Sequence, residues 1–262
     1  MAALNSIASV LKTEIIDKAS SEGLVGMCPR HDTPLKIDTI SVIGQEVRLP
    51  GCCEQCQELA IEMERQHEKK RQNGLFCEAQ RQAGVPLRYQ QACLEPFPIA
   101  SPGQEDILAC AKAFVETGGL GSTGLILIGR VGSGKTHVAC AILNALLQAG
   151  KSGLFLTIVQ AIRRIKETYG RDAEKTEQEA LRGLFAPDIV ILDEVGVQRG
   201  TDTEHQILLE IVNERYNRMK PTILISNLTM PEFTALVGER VVDRFREGGR
   251  VLVFDWPSLR HR

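Results

Sequence analysis

The residues most able to do chemistry are the glycines, the lysine and the threonine of the stretch GRVGSGKT, Gly129 to Thr136. This stretch fits the phosphate-binding pattern G-x-x-x-x-G-K-[ST]. Glycines allow the backbone to close around a phosphate with its N–H groups pointing inward. Lys135 is then placed to reach the β- and γ-phosphates of a nucleoside triphosphate, and the hydroxyl of Thr136 to bind Mg²⁺. The alternative is an ordinary tight turn between a strand and a helix.

The segments on either side of this loop have the composition that a phosphate loop needs. The apolar run Leu125 to Ile128 predicts a buried strand, and residues His137 to Gln148 lack Pro and Gly and predict a helix. The N–H groups and the dipole at the start of that helix add to the anion site. The context therefore favours a phosphate loop over an ordinary turn.

Two acids follow a second apolar strand. Asp193 and Glu194 come directly after the run Ile189 to Leu192, so both are expected at the carboxyl end of the strand, which faces the ligand crevice in open α/β sheets. We expect Asp193 to hold the Mg²⁺ shell, through water or directly, and Glu194 to orient and polarise the attacking water. Many buried strands end in an acid, so it is the phosphate loop upstream that makes this interpretation specific.

Three further residues are candidates for contact with the triphosphate. Asn227 follows the predicted strand Thr222 to Ile225, where its amide could bond both the γ-phosphate and water; an Asx turn is the alternative. Arg240 and Arg244 lie four residues apart on a helix predicted from Pro231 to about residue 246, and therefore on one face. Most arginines of this region are expected to form a solvated basic surface, but one beside a nucleotide crevice could act as an arginine finger.

Near the amino terminus, two pairs of residues have the spacing of zinc ligands. Cys28 and His31 form one pair and Cys53 and Cys56 the other, and the residues between the pairs alternate like a small hairpin. Thiolate and imidazole ligands suit Zn²⁺, and a closed set of four indicates a structural metal. Cys52 is an alternative to Cys53, and unrelated buried cysteines with a surface histidine are the alternative to a metal site.

Composition limits the remaining possibilities. The chain has 262 residues, is 43% hydrophobic and carries a net charge of −2, so its bulk charge does not indicate nucleic-acid binding. No apolar run approaches the roughly 20 residues that a membrane span needs, and the start of the chain lacks the pattern of a secretory signal. We therefore expect a cytoplasmic protein, in which the eight cysteines favour metal binding over disulfides.

The sequence predicts three regions. Residues 1–57 hold a short helix and the zinc module, residues 58–83 form a charged helical linker, and residues 84–262 alternate strands with helices, which is typical of an α/β fold with a parallel sheet. The linker is interpreted as a solvated connector, and a helical arm for a partner protein is the alternative.

The segments GRVGSGKTH, VILDEVGVQ, ISN, GERVVDRFREGG and FDW together resemble the DnaC/IstB group of AAA+ ATPases, over roughly residues 84–262. Within the group the resemblance is closest to DnaC-type replicative helicase loaders, and the amino-terminal cysteine module is similar to that of related phage and bacterial proteins. The resemblance implies an AAA+ P-loop αβα sandwich with a five-stranded parallel sheet and without the usual carboxy-terminal helical lid.

The resemblance also implies roles for individual residues. The set expected to contact ATP consists of Gly129, Gly132, Ser133, Gly134, Lys135, Thr136, His137 and Asp193, with Arg260 as a second sensor. ATP would bind between subunits of a spiral assembly, with Arg244, or alternatively Arg240, completing the neighbour's site. Lys166 and Tyr169 would contact single-stranded DNA by charge and stacking.

The function implied is ATP-dependent delivery of a hexameric replicative helicase onto single-stranded DNA, with the amino-terminal module gripping the helicase. An IstB-like transposition ATPase that binds duplex DNA and a transposase is the alternative within the group. A nucleotide-gated adaptor with little hydrolysis is the alternative from another class, and the presence of Glu194 disfavours it.

Overall fold

The computed structural model divides the chain into two compact units, Met1–Asn73 and Gly74–Arg262. It describes residues 26–42, 45–95, 102–170, 174, 176–197 and 201–259. The short helix predicted at the start of the chain lies outside these residues, and so does Arg260. None of the helices in the described ranges is long and apolar enough to cross a membrane.

The described part of the first unit contains a hairpin and the start of a long helix. Strands β1 (Ile37–Val42) and β2 (Gln45–Pro50) pair antiparallel, in the place where the alternating pattern predicts a hairpin. Helix α1 (Glu54–Gln82) begins in this unit and ends in the second one. Charged pairs one turn apart, such as Glu68–Arg71, line its exposed surface. Because this helix has almost no buried side chains, such pairs contribute to its stability.

The second unit is built on one parallel sheet of five strands in the order β4-β5-β6-β3-β7. The strands are β3 (Gly124–Gly129), β4 (Gly153–Thr157), β5 (Ile189–Asp193), β6 (Thr222–Ser226) and β7 (Arg250–Phe254). The helices are α2 (Pro102–Glu116), α3 (Lys135–Gln148), α4 (Ile158–Lys166), α5 (Glu177–Phe185), α6 (Asp202–Asn217), α7 (Met230–Val237) and α8 (Glu239–Gly248). This architecture confirms the predicted αβα sandwich.

Helices cover both faces of the sheet, and strand β3, which lies between β6 and β7, shows why. In β3, Leu125 and Leu127 belong to the apolar core shared with α2 and α3, whereas Ile126 and Ile128 belong to the core shared with α4 to α8. Successive side chains of a strand point to opposite faces, so a continuous apolar run needs a helical layer on each side. The strand's carboxyl end is thereby held rigidly where the phosphate loop begins.

A buried arginine bonds several elements at the amino ends of β5 and β6, away from the phosphate loop. Arg215 on α6 is fully buried, and burial lowers the pKa of its guanidinium to about 10. Its N–H groups donate to the carbonyls of Leu184, Phe185, Pro187, Asp188 and Pro221 and to the hydroxyl of Thr222. One side chain therefore supplies hydrogen-bond donors to the backbone carbonyls at the end of α5 and in the segments that lead into β5 and β6.

The prediction of a single helix from Pro231 to about residue 246 is wrong. The structure has two helices there, α7 and α8, separated at Gly238. The φ of Gly238 is 86°, a conformation that interrupts a right-handed helix and that glycine adopts without a steric penalty. In the part of the chain described up to Leu259, no α-helix follows β7.

Candidate nucleotide site and metal site

The phosphate loop connects the end of β3 to the first turn of α3. Gly129, Gly132 and Gly134 have φ values of 131°, 79° and 100°, which residues with a side chain rarely adopt. At Gly129 the backbone of the neighbouring strand adds a second constraint, because a Cβ there would lie 2.2 Å from the carbonyl oxygen of Phe254. Backbone conformation therefore favours glycine at all three positions, and at Gly129 packing requires it as well.

Lys135 lies at the start of α3 with its ammonium group against the loop. Its Nζ donates to the carbonyl oxygens of Gly129 at 2.8 Å and Arg130 at 2.7 Å, and lies 3.4 Å from Oγ of Ser133. Lys135 is buried yet lines the cavity beside the loop. A cation held in this position is suited to an anionic ligand in that cavity.

The end of β7 and the segment that follows it form hydrogen bonds with the backbone of the phosphate loop. Nε1 of Trp256 donates to the carbonyl of Ser133 at 2.9 Å, and the backbone N–H of Leu259 donates to the carbonyl of Gly132 at the same distance. The N–H of Arg130 donates to the carbonyl of Phe254 at 3.1 Å. Motif reasoning on the loop missed these contacts, because they join positions more than a hundred residues apart.

The two acids lie beside the loop at the carboxyl end of β5. Asp193 is buried, and burial raises the pKa of its carboxyl group. Its Oδ2 accepts from the hydroxyl of Thr136 at 3.0 Å, and its Oδ1 accepts from the backbone N–H of Glu194 at 2.7 Å. Glu194 is exposed and has a φ of 60°, which is uncommon for a residue with a side chain. The hydroxyl of Thr136 and the carboxylates of Asp193 and Glu194 therefore lie close together beside the carboxyl end of β5.

These residues open onto a cavity of about 580 Å³, a size typical of small-molecule sites. Eight of the residues predicted from the sequence line it: Gly132, Gly134, Lys135, Thr136, His137, Asp193, Glu194 and Asn227. Five others that the sequence reasoning did not select also line it: Arg88, Tyr89, Val131, Ile225 and Leu259. Of the remaining predicted contacts, Gly129 and Ser133 belong to the loop itself.

The predicted finger residues lie elsewhere on the second unit. Arg240 and Arg244 are both on α8, and neither lines the cavity of their own chain. Arg240 is exposed, whereas Arg244 is half-buried with its guanidinium 4.7 Å from the ring centroid of Tyr216. A role for either residue at this cavity would therefore have to be played from a neighbouring subunit.

The two residues predicted to contact DNA are both engaged with acids. Nζ of Lys166 lies 3.1 Å from the carboxylate of Glu204, which is buried, and the hydroxyl of Tyr169 donates to Glu177 at 3.2 Å. Arg163 and Arg164, on the same helix as Lys166, are exposed. The sequence carried a signal for them, since Ile158, Ala161, Ile162 and Ile165 form the apolar face of α4 and leave its other face basic.

In the first unit, four side chains predicted as zinc ligands come together. Sγ of Cys28 lies 3.8 Å from Sγ of Cys56 and 3.6 Å from Nδ1 of His31. Nδ1 of His31 lies 3.3 Å from Sγ of Cys53 and 3.4 Å from Sγ of Cys56. Cys53 is buried and belongs to this cluster, whereas Cys52 is exposed outside it. The structure thus places Cys53, rather than the alternative Cys52, with the other three.

The spacing of this cluster fits a tetrahedral zinc ion. Bonds of about 2.3 Å to sulfur and about 2.0 Å to nitrogen require ligand separations of about 3.8 Å between sulfurs and about 3.5 Å between sulfur and nitrogen. The observed separations of 3.3 to 3.8 Å agree with these values. The donor set of three thiols and one imidazole is also one that Zn²⁺ prefers.

The chain matches the family model described as IstB-like ATP binding protein over residues 78–245. The replicative helicase loader DnaC of Escherichia coli K12 is 35% identical over 181 residues, which cover 69% of this chain and 74% of that protein. DnaC of Buchnera aphidicola subsp. Schizaphis graminum is 34% identical over 179 residues, with coverages of 68% and 73%. A crystal structure of the DnaC helicase loader is 28% identical and matches with a TM-score of 0.57, covering 64% of this chain and 99% of that one.

Proposed function

Because the chain belongs to the family of IstB-like ATP-binding proteins, whose members are AAA+ ATPases, we propose that it is a DnaC-like helicase loader. In this role it binds a hexameric replicative helicase and delivers it onto single-stranded DNA when replication starts. ATP controls how tightly it binds the helicase. The observation that carries the proposal is the similarity to curated loaders over some 180 residues. The complete phosphate-loop site in the structure agrees with it.

The proposed reaction is hydrolysis of the γ-phosphate of ATP. The N–H groups of the loop and the ammonium of Lys135 bind the triphosphate, and the amide of Asn227 contacts the γ-phosphate or the attacking water. Glu194 projects into the cavity from the sheet edge and accepts a hydrogen bond from that water, which orients and polarises it for attack.

The same site has the residues to hold Mg²⁺. The hydroxyl of Thr136 and the carboxylate of Asp193 are 3.0 Å apart and present the hard oxygen ligands that this ion prefers. When bound, the ion neutralises charge on the phosphate oxygens. Asp193 has a raised pKa through burial, and a cation beside it offsets that cost.

Hydrolysis is proposed to depend on a neighbouring subunit. Arg244 on α8, with Arg240 as the competing choice, does not line its own cavity, and we assign it to the site of the next subunit in an assembly. Completion by such a finger is worth about 10³ to 10⁵ in rate in related phosphate chemistry. Turnover of the dilute protein is therefore expected to be slow.

The four-ligand cluster of the first unit is proposed to hold a structural zinc ion through Cys28, His31, Cys53 and Cys56. Binding free energies of about 10 to 16 kcal/mol are typical of such sites and stabilise modules too small to build a core. We assign residues 1–57 to helicase binding, residues 58–83 to a linker, and residues 84–262 to the ATPase.

The polar face of α4 is proposed to line the path of single-stranded DNA. The resemblance implies contacts from Lys166 on α4 and from Tyr169 just beyond it. The exposed Arg163 and Arg164 add two cations to α4. Since Lys166 is paired with the buried Glu204, the two arginines are expected to supply most of the contact with phosphates.

The decisive experiment is co-purification with a hexameric replicative helicase in the presence of ATP and magnesium, of ADP, or of no nucleotide. We expect retention of the helicase and its transfer to single-stranded DNA with ATP, and loss of that nucleotide dependence in Lys135→Ala. Binding of ATP together with a transposase and duplex DNA, but not with helicase, would instead support the IstB-like alternative. Absence of any ATP binding would contradict both functions.

A further inference from the structure

A buried network of two amide side chains joins the last turn of α1 to α3. Gln80 on α1 and Asn144 on α3 are 3% and 4% exposed. Nδ2 of Asn144 donates to the backbone carbonyls of Tyr89, Gln90 and Ala92 at 3.0, 3.3 and 2.9 Å. Nε2 of Gln80 donates to the carbonyl of Gln90 at 2.6 Å and to Oδ1 of Asn144 at 2.9 Å.

This network holds the segment that follows α1 against α3. The segment from Val85 to Ala92 forms one 3₁₀ turn, Leu87–Tyr89, so few of its carbonyls are satisfied by regular structure. Buried backbone carbonyls must find donors, and the amide groups of Gln80 and Asn144 supply them. Loss of Asn144 therefore removes the side-chain donor that holds the turn against α3. Loss of Gln80 removes a second donor to Gln90 and the partner that orients the amide of Asn144.

The turn held in this way forms one wall of the nucleotide cavity. Arg88 and Tyr89 line that cavity together with Lys135 and Thr136. Lys135 begins α3, and Asn144 lies nine residues later on the same helix, about 13 Å along its axis. A single helix therefore carries groups for the triphosphate at its start and the anchor of the Arg88–Tyr89 turn farther along.

We propose that Asn144 and Gln80 are positioning residues that hold the Arg88–Tyr89 turn against the nucleoside part of bound ATP. The inference rests on the proposed function, since it assumes that the phosphate loop binds the triphosphate end of the same ligand. It assigns the network to recognition of the base and ribose and leaves phosphate binding to the loop.

The test compares two ligands that share their phosphates. Affinities for ATP and for inorganic tripolyphosphate, both with magnesium, are measured for the wild type, Gln80→Ala, Asn144→Ala and the control Gln82→Ala. Gln82 lies in the same turn of α1, but its side chain is exposed and its amide donates to Glu78 on the same helix. We expect Gln80→Ala and Asn144→Ala to weaken ATP binding about tenfold while tripolyphosphate binding stays within about twofold of the wild type, and Gln82→Ala to change neither.

The outcomes separate this inference from the proposed function. A wild type that binds neither ligand would refute the nucleotide site itself. A wild type that binds ATP, with Gln80→Ala binding it equally well, would overturn the positioning role. Equal weakening of both ligands would also overturn it, because the network would then support the fold in general. Gln80→Ala keeps the test decisive if Asn144→Ala does not fold.

Discussion

Replacement of Gly129 with alanine is expected to separate β7 from the phosphate loop. The new Cβ would lie 2.2 Å from the carbonyl oxygen, 2.7 Å from the carbonyl carbon and 3.0 Å from the nitrogen of Phe254. These are backbone atoms of a paired strand, so no side-chain rotation relieves the overlap. The strand must move, which also breaks the hydrogen bond from the N–H of Arg130 to the carbonyl of Phe254.

The expected cost is the sum of three effects. A side chain at a φ of 131° is strained by about 1 to 3 kcal/mol, the lost hydrogen bond costs about 1 kcal/mol, and displacement of the strand costs about 1 to 3 kcal/mol. We therefore expect Gly129→Ala to lower the free energy of unfolding by about 5 kcal/mol.

Gly150 offers a matched control, because it has a φ of 79° but no atom within 4 Å of the position of a Cβ. Gly150→Ala should cost about 1 to 2 kcal/mol from backbone strain alone. The difference of about 3 kcal/mol between the two variants thus isolates the close approach of Phe254.

Urea unfolding followed by tryptophan fluorescence measures this difference. The chain has one tryptophan, Trp256, which is buried and bonded to the loop through Ser133, so its signal reports the region that moves. ATP affinity measured on the folded variants should fall for Gly129→Ala and stay unchanged for Gly150→Ala. Equal losses of stability in the two variants, or unaltered ATP binding by Gly129→Ala, would refute the packing argument.

Three further predictions concern other parts of the chain. Glu194→Gln should lower ATP turnover by about 10² to 10⁴ with little change in ATP affinity. Mixing this variant with inactive Arg244→Ala should restore part of the turnover, because a mixed interface combines an intact acid with an intact finger. If no turnover is restored, the finger does not act in trans. Cys53→Ser should lose zinc measured by metal analysis while Cys52→Ser keeps it, and the reverse pattern would reassign the ligand. Arg215→Lys should lower the urea-unfolding free energy by about 2 to 3 kcal/mol, since lysine keeps the charge but cannot serve the surrounding carbonyls; an unchanged midpoint would show that the guanidinium bonds contribute nothing.

The fold and the centre of the nucleotide site were predictable from sequence because their signals are local. The phosphate loop, the acids after β5 and the asparagine after β6 each stand next to the strand that positions them. Since carboxyl ends of parallel strands share one edge of the sheet, adjacency to a strand was enough to predict that Lys135, Asp193 and Asn227 would meet.

What the sequence did not predict depends on contacts between distant positions. No local pattern indicates that Tyr89 would line the cavity, or that Trp256 would bond the loop. The break at Gly238 was missed because glycine is tolerated inside helices, and only the backbone conformation shows that it ends one. The pairing of Lys166 with Glu204 likewise joins two helices whose packing a one-dimensional pattern does not give.

The support that Trp256 gives to the phosphate loop has a consequence for biosynthesis. The indole contacts Ser133 across 123 positions of the chain, and chains are synthesised from the amino terminus. A nascent polypeptide therefore carries the whole GRVGSGKT stretch long before the residues that brace it have left the ribosome. We therefore expect ATP to stabilise this unit only after β7 and Trp256 have been synthesised and have packed against the loop.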